Sequence, residues 1–405
     1  IIDLEKPYGV VVAYGGQTAI KLTADLAKHG VKIIGTSAEG IDAAEDRERF
    51  DELLTALKIK RPAGQTVFTE EEALHVANEI GYPVLMRPSY VLGGQNMIIA
   101  FGDDDIQEYM KVIIAANDEH NPILIDKYLN GIEIEIDAIT DGEDILIPGI
   151  LEHIERTGIH SGDSIAVYPA PHISKRMEEK IINHTKALCK GLGAIGLTNI
   201  QYIVHDEELY VIEVNPRASR TVPYISKVTG VPMIDLATRA SLGESLKDLG
   251  YGTGLYPASK YVAVKVPVFS FEKLANVDTQ LGPEMKSTGE VLGIGETTLE
   301  ALYKGLVAAD YSLKREGGVF ISVRDQDKAE IADIAKKFYY QGFEIFATKG
   351  TAEAIEAADP NIDVVQLNKI HESNSFNAME LIESGKIDYI ISTSKKGRDP
   401  QRDSV

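Results

Sequence analysis

Hydrophobic positions along this chain change period several times, and each change predicts an element. Residues 132–139 read Ile, Glu, Ile, Glu, Ile, Asp, Ala, Ile. That is the two-residue period of a strand with one buried face and an acidic opposite face carrying Glu133, Glu135 and Asp137. Residues 198–204 and 209–215 also alternate, with the polar stretch His205 to Glu208 between them. Earlier, residues 8–13 predict a short strand, Gly15-Gly16-Gln17 a turn, and the following residues a helix to about Lys28 and a second strand over Val31–Ile34. Asp42-Ala-Ala-Glu resembles a capping box for a helix reaching Leu57. Strands are expected over Gly81–Arg87, Asn96–Phe101 and Ile123–Ile125, with a loop at Ser89–Gly94 and a helix near 104–116. Residues 259–308 read as short helices and loops that close this domain. From Gly317-Gly318 the rhythm becomes strand 319–323, helix 327–340, strand 343–346, helix 351–358, strand 363–366, helix 375–384 and strand 388–391. Such alternation predicts a small doubly wound parallel domain.

The strand at 209–215 departs from an apolar pattern in an informative way. It ends in Glu213 and Asn215 on one face, with Val214 on the other, and Arg217 and Arg220 follow directly. Two adjacent oxygen donors suit a hard cation such as Mg²⁺, which completes its shell with water and phosphate. Two arginines suit the phosphates that such a metal carries. If Asp206, Glu207 and Glu208 form a three-residue hairpin loop, Gln201 lies directly across from Glu213 and joins the metal set; a two-residue loop would place Gln201 opposite Ile212.

Composition sets the limits. The 405 residues suffice for two or three domains with real cores. No apolar run of about 18 residues predicts a membrane span, and the first residues lack the regions of a signal peptide. The absence of an initial Met suggests a fragment or trimmed product. A single cysteine, Cys189, excludes an internal disulfide framework, fits a reducing cytoplasm and is expected in the core. A net charge of −21 argues against nucleic acid as a partner. It leaves nucleotides open, because a local positive cleft can sit in an acidic protein.

Other motifs carry chemistry. Met86-Arg87-Pro88-Ser89-Tyr90-Val91-Leu92-Gly93-Gly94 sets an arginine fork at a strand end beside a glycine loop, which suits phosphate oxygens. Asp126-Lys127-Tyr128-Leu129 connects two strands, where backbone groups can contact an adenine edge. Thr157-Gly158-Ile159-His160-Ser161-Gly162-Asp163-Ser164 is a polar loop in which His160 can handle a proton or contact phosphate or ribose. In the last domain Thr348-Lys349-Gly350-Thr351, Lys369 and Ser392 to Arg398 all sit at carboxyl ends of strands, which points to a small anionic ligand.

Three motifs in order, Arg-Pro-Ser-Tyr-Val-Leu-Gly-Gly, His-Ile-Glu-x-x-Gly-Ile-His-Ser-Gly-Asp-Ser and Ile-Glu-Val-Asn-Pro-Arg-Ala-x-Arg-Thr, resemble the ATP-grasp fold. More narrowly they resemble the C-terminal half of the carbamoyl-phosphate synthetase large subunit, as does Leu-Gly-Pro-Glu-Met-Lys-Ser-Thr-Gly-Glu-Val at 281–291. The resemblance covers essentially the whole chain. It implies an α/β and α+β multidomain protein: a partial pre-ATP-grasp α/β unit over 1–42, an ATP-grasp domain over 43–308, and a truncated methylglyoxal-synthase-like regulatory domain over 309–405.

The same resemblance implies an ATP-dependent phosphorylation of carbamate to carbamoyl phosphate, for pyrimidine or arginine biosynthesis. Arg47, Arg87, Lys127, Leu129, Glu133, Gly158, Ile159, His160, Ser161, Gln201 and Glu213 would surround the nucleotide. Gln201, Glu213 and Asn215 would hold Mg²⁺ or Mn²⁺, and Arg217 and Arg220 the carbamate or transferred phosphoryl group. Glu133 and the His160 loop lie where the family binds K⁺. Lys328, Thr348, Thr351, Lys369 and Thr393 match positions of a UMP- or IMP-type effector site. Ser392 stands where an Asn is common, and the domain ends at Val405, short of the family's usual end. Glu155 and Asp163 match ornithine contacts, but the segment near Val264 reads Val-Ala-Val-Lys and lacks the acidic residue of ornithine-activated members. The bicarbonate-phosphorylating N-terminal half and the glutaminase small subunit are the implied partners. Without them the expected activity is the carbamate-kinase partial reaction. Two other readings compete: another ATP-grasp carboxylase or ligase, with biotin carboxylases nearest but no biotin-carrier region following, and an inactive effector-binding module.

Overall fold

The computed structural model describes residues 1–88, 96–116, 122–273, 277, 279–368 and 378–393. The chain divides into two compact units, Ile1–Tyr311 and Ser312–Val405.

The first unit opens with a single parallel bridge, Val10 to Ile33, around the short helices Gly16–Lys21 and Thr23–Lys28. The single expected helix from Asp42 to Leu57 is two helices. Ser37 caps Ala38–Glu45, and the chain then becomes extended at Asp46, whose carboxylate accepts from the Arg49 amide and caps Arg47–Leu57. The Asp42 box therefore lies inside the first helix, and the N-cap role falls to the next acidic residue.

Four strands, β1 (Gly64–Val67), β2 (Val84–Pro88), β3 (Ile98–Ala100) and β4 (Ile123–Lys127), form an antiparallel sheet ordered β1-β4-β2-β3. Helices Glu70–Ile80 and Asp103–Ala116 accompany it, the first closed by a full capping box between Thr69 and Glu72. Val67, Ala73, Val76, Val84, Met86, Ile106, Met110 and Ile125 make its core.

The larger sheet holds β5 (Ile132–Thr140), β6 (Ile145–Ile147), β7 (Ile150–His153), β8 (Ala166–Tyr168), β9 (Gly196–His205), β10 (Glu208–Asn215), β11 (Gly254–Leu255), β12 (Val262–Val268) and β13 (Gly289–Gly295). Its main path runs β10-β9-β5-β7-β8-β12-β13. The segment 259–308 was expected to be mostly short helices and loops; instead it supplies two sheet strands and the helix Thr298–Ala308.

One face of this sheet packs Ile134, Ile136, Ile200, Tyr202 and Val214 against Ile181, Leu188 and Cys189 of the helix Lys175–Gly191. The other face has two characters. Towards one end, Ile139, Leu151, Leu197 and Ala263 pack on the helices Val222–Thr229 and Met233–Ser241. Beyond them the same face turns polar: Glu133, Glu135 and Asp137 of β5 lie in register with Ile203, Gln201 and Asn199 of β9. The three acids are buried rather than solvated, so a simple buried-and-exposed alternation does not describe this strand.

The second unit carries β14 (Gly317–Ser322), β15 (Phe343–Thr348), β16 (Val364–Leu367) and β17 (Tyr389–Ser392), all parallel, in the order β16-β15-β14-β17. Helices Lys328–Tyr340, Lys349–Ala358 and Ala378–Glu383 connect them. Val319, Ile321, Ile345 and Ala347 are wholly buried beneath Ile331, Ala335 and Ile355. No described helix is long and apolar enough to cross a membrane.

Candidate nucleotide and metal site

The hairpin of β9 and β10 builds the centre of the site. Its turn has two residues, Asp206 and Glu207, both at positive φ (49° and 60°), and Glu208 pairs with His205. That is the geometry of a tight primed turn, whose twist matches the strands it joins. The expected three-residue loop is absent. Yet Glu213 still faces Gln201, because a β-bulge between Val211 and Glu213 inserts Ile212 as one extra residue. The bulge also lets Val211 and Val214, three residues apart, enter the same core. Glu135, Gln201 and Glu213 thus form one row across three strands, and Asp137, Asn199 and Asn215 the next.

Side chains along these rows are linked. Asn215 Nδ2 donates to Glu213 Oε1 at 2.9 Å, and Arg217 Nη2 donates to Asn215 Oδ1 at 3.1 Å. Arg217 Nε reaches Gln17 Oε1 at 3.2 Å, while the Ala218 amide donates to the Ala13 carbonyl. The first strand-turn segment therefore orients the arginine. Gln201 Nε2 donates to Ser161 Oγ at 3.2 Å. Ser219 Oγ donates to Asp137 Oδ2 at 2.7 Å, and Thr221 also bonds that oxygen. Arg220 is exposed; its charge, after burial, contributes to holding His160 below its usual value.

The loop 157–164 covers this face from several anchors. Tyr128 donates its hydroxyl to the Thr157 carbonyl, and Thr157 Oγ1 donates to the Leu129 carbonyl, both at 2.7 Å. The Gly158 amide donates to Glu133 Oε1 at 3.1 Å. Gly158 sits at φ +86°, and a Cβ there would stand 2.8 Å from Ile99 and 3.0 Å from Tyr128, so glycine is required. Ile159 is half-buried. His160 Nδ1 accepts from the Gly162 amide at 3.0 Å, leaving Nε2 as the donor of a neutral ring. Asp163, fully buried, accepts the Lys286 and Ser287 amides at 2.8 Å each. Glu155 accepts the Ile165 amide at 2.7 Å, and burial pushes its carboxyl up.

A buried charge system lies beneath the loop. His153 stands 3.2 Å from Glu133 and 3.4 Å from Glu135. Burial disfavours the charged ring, but the hydrogen bonds and charges of the two glutamates outweigh it and push His153 up to about 9. Glu135 is held down, because its bonds to His153 and Asn199 and the charge of Lys265 overcome burial. Asp137 is pushed up by burial and by the charge of Glu135.

A second group gathers around Asp126 at the end of β4. Arg47 grips it through two bonds, Nη1 to Oδ2 at 3.2 Å and Nη2 to Oδ1 at 2.5 Å. Arg87 Nε lies 3.9 Å from Oδ2, and Arg61 Nη1 4.0 Å from Oδ1. Lys127 Nζ donates to the carbonyls of Gly81 and Tyr82 at 2.8 and 3.0 Å, and its amide to Ala63. Ser89 to Gly94, the glycine loop after Arg87, lies outside the described residues. Sequence reasoning missed Asp126, Arg61, Gln17, His153, Lys265, Ser219 and Thr221 as site-building groups. The strict alternation of β5 signalled a polar partner for its acids, whereas nothing marked Arg61.

The donor set fits a hard divalent cation. Glu213 supplies a carboxylate and Gln201 and Asn215 supply amide oxygens, all hard ligands. Among the described residues no group of three or more His, Cys, Asp or Glu could hold a metal alone. A cation here would therefore depend on phosphate and water for its remaining ligands.

In the second unit, Thr348 Oγ1 lies within hydrogen-bonding distance of Ser322 Oγ and Thr351 Oγ1, each at 3.3 Å. The Val323 amide donates to Thr351 and the Arg324 amide to Thr393 Oγ1. Lys328 Nζ pairs with Asp325 at 2.7 Å and lies 2.9 Å from where a Cβ on Gly350 would be. Ser322, Thr348, Thr351, Thr393 and Lys328 thus meet at the carboxyl ends of β14, β15 and β17. Lys369 and the run 394–398 lie outside the described residues.

A polar sheet face beside a four-stranded antiparallel subdomain defines the ATP-grasp class. Solved structures with this fold include biotin carboxylase from Campylobacter jejuni in complex with a β,γ-ATP ligand, with TM-score 0.59 and 18% identity over 77% of this chain and 76% of that one. Another is N5-carboxyaminoimidazole synthase from Aspergillus clavatus in complex with ADP and 5-aminoimidazole ribonucleotide, with TM-score 0.56 and 14% identity over 72% and 79%. The family model "Carbamoyl-phosphate synthase L chain, ATP binding domain" matches residues 46–249, the carbamoyl phosphate synthase preATP-grasp model residues 1–43, and the MGS-like model residues 330–405. The chain belongs to the carbamoyl-phosphate synthase large-chain family. It is 56% identical over 403 residues to the carbamoyl phosphate synthase large chain of Lachnoclostridium phytofermentans, and spans 37% of that relative's length.

Proposed function

We propose that the first unit is a ligase site that phosphorylates carbamate with ATP to give carbamoyl phosphate and ADP. The observation that carries this reading is the pair of hydrogen-bonded strings Ser161–Gln201 and Glu213–Asn215–Arg217, brought into register at Gln201 and Glu213, which sets oxygen donors and a guanidinium side by side on one sheet face. Gln201, Glu213 and Asn215 would hold Mg²⁺ or Mn²⁺, which supplies charge neutralisation and alignment of the phosphates. Arg217 and Arg220 orient carbamate, so that its oxygen attacks the γ-phosphorus as the bond to ADP breaks. Arg47, Arg87, Lys127 and Leu129 frame the nucleotide from the smaller subdomain, and Gly158 to Ser161 close over it. Neutral His160 offers Nε2–H to a phosphate oxygen, and Glu133 with this loop would take K⁺. The chemistry is positioning and electrostatics rather than covalent catalysis.

In the second unit Lys328, Thr348, Thr351, Thr393 and Lys369 would bind a UMP- or IMP-type nucleotide. In the longer protein an N-terminal half and a glutaminase small subunit would supply carbamate, in a cytoplasmic route to pyrimidines or arginine. The test is ATP formation from ADP and carbamoyl phosphate with Mg²⁺, with and without UMP. ATP should form, and Arg87→Ala should lower the rate with the fold kept. No ATP alongside intact UMP binding would overturn this reading in favour of an effector-binding module.

A further inference from the structure

Lys265 is a lysine with no exit to water. It lies in mid-strand on β12, 1% exposed, paired with Ala166 of β8 and Leu292 of β13. Burying an ammonium costs several kcal/mol unless opposite charges and hydrogen bonds compensate. Three carboxylates feel its charge, Glu135, Glu155 and Glu290. Glu290 shares its sheet face, since Glu290 pairs with Pro267 two residues along β12. Its ammonium donates to one carbonyl, that of Ser161, at 2.9 Å.

Stability alone would not select a lysine there. The neighbouring Val264 and Val266 fill the core on the opposite face, and apolar replacement of buried ionic groups is often neutral or stabilising. What a lysine adds is a charged donor aimed at the covering loop. Ser161 is also the residue whose hydroxyl accepts from Gln201, directly across from Glu213. The far end of the loop is fixed separately, by Asp163 on the Lys286 and Ser287 amides. The His160 amide donates to the Gly282 carbonyl at 2.9 Å and Ser287 Oγ to the Gly162 carbonyl at 2.9 Å, so Lys265 is one of several holds on the Ser161 end, and the one that brings a charge to the Ser161 carbonyl.

We propose that Lys265 is a positioning residue for the phosphoryl-transfer site: an internal cation that fixes the Ser161 carbonyl and so sets Ser161 and Gln201 against the metal face. The inference rests on the ligase reading above. It is tested in the full chain with Lys265→Met, which keeps the stem's volume and removes the donor, and Lys265→Ala, which opens a space beside the Ser161 carbonyl. Amide exchange over 157–164 should quicken by about tenfold in Lys265→Met, with β12 and β13 unaltered. The KM for ADP in ATP formation should rise by about tenfold. Propylammonium should restore Lys265→Ala saturably and leave Lys265→Met unchanged. If Lys265→Met does not fold, Lys265→Met/Glu290→Gln removes one charge of each sign and takes its place. A folded variant with unchanged exchange over 157–164 and unchanged KM and kcat overturns the role of Lys265. A wild-type chain that makes no ATP overturns the ligase reading instead.

Discussion

Raising the pH through the range in which His153 loses its proton should weaken the first unit by a calculable amount. The ring is buried between Glu133 and Glu135, and its value rises from 6.5 to about 9. The ring binds its proton more tightly in the folded chain. Its contribution is therefore complete below about pH 6.5 and is lost as the pH climbs through about 9. At about 1.36 kcal/mol per pH unit, that interval is worth about 3 kcal/mol. Urea unfolding of wild type and His153→Gln, at half-unit steps from pH 6 to pH 10, reads this directly. The stability gap between the two chains should be widest below about pH 6.5 and shrink by about 3 kcal/mol by the top of the range. The C–H resonance of His153, identified by its absence in the variant, should show an imidazolium well above pH 7. A gap independent of pH, or a ring that titrates at its ordinary value, would refute the assignment of a charged His153.

Two further outcomes follow from the same face. Asp206→Asn with Glu207→Gly gives the tight turn residues that tolerate positive φ, and should stabilise the first unit by about 1 kcal/mol in urea unfolding without changing the row Gln201–Glu213. Asp137→Ala should cost about 2–4 kcal/mol, because the Ser219, Thr221 and Asn199 side chains lose a shared buried acceptor. Asp137→Asn should keep most of that stability, since burial and Glu135 already push Asp137 towards its neutral form; equal losses in the two variants would contradict this.

Periodicity made the strands with strong alternation legible, β5 and β9 above all, and the βαβ rhythm after Gly317 matched the parallel sheet closely. The pairing of Gln201 with Glu213 was also foreseen, but from a loop length that proved one residue too long. The error and the correct outcome have one cause: a bulge adds to β10 the residue that the turn lacks, and no local composition announces it. Residues 259–308 were misread because Gly and Pro interrupt the local pattern, while β12 is made a strand by pairing with the distant β8, and β13 by pairing with β12. The site residues that escaped notice, Gln17, Asp126, His153 and Lys265, act through partners from about 20 to about 200 positions away. Spacing along the chain cannot display such neighbours.

The bulge at Ile212 separates two things that a hairpin normally ties together. In a regular hairpin the turn length fixes every cross-strand partner up to the open end. Here the partners near the turn obey the two-residue turn, and those from Glu213 onward obey a register one residue further along. A related chain with a three-residue turn and no bulge would present the same Gln201–Glu213 row. Turn length can therefore drift by one residue without moving the Gln201–Glu213 row, provided the bulge drifts with it. Aligning such hairpins from their turns outward would mispair this row, whereas aligning them from Asn215 inward would not.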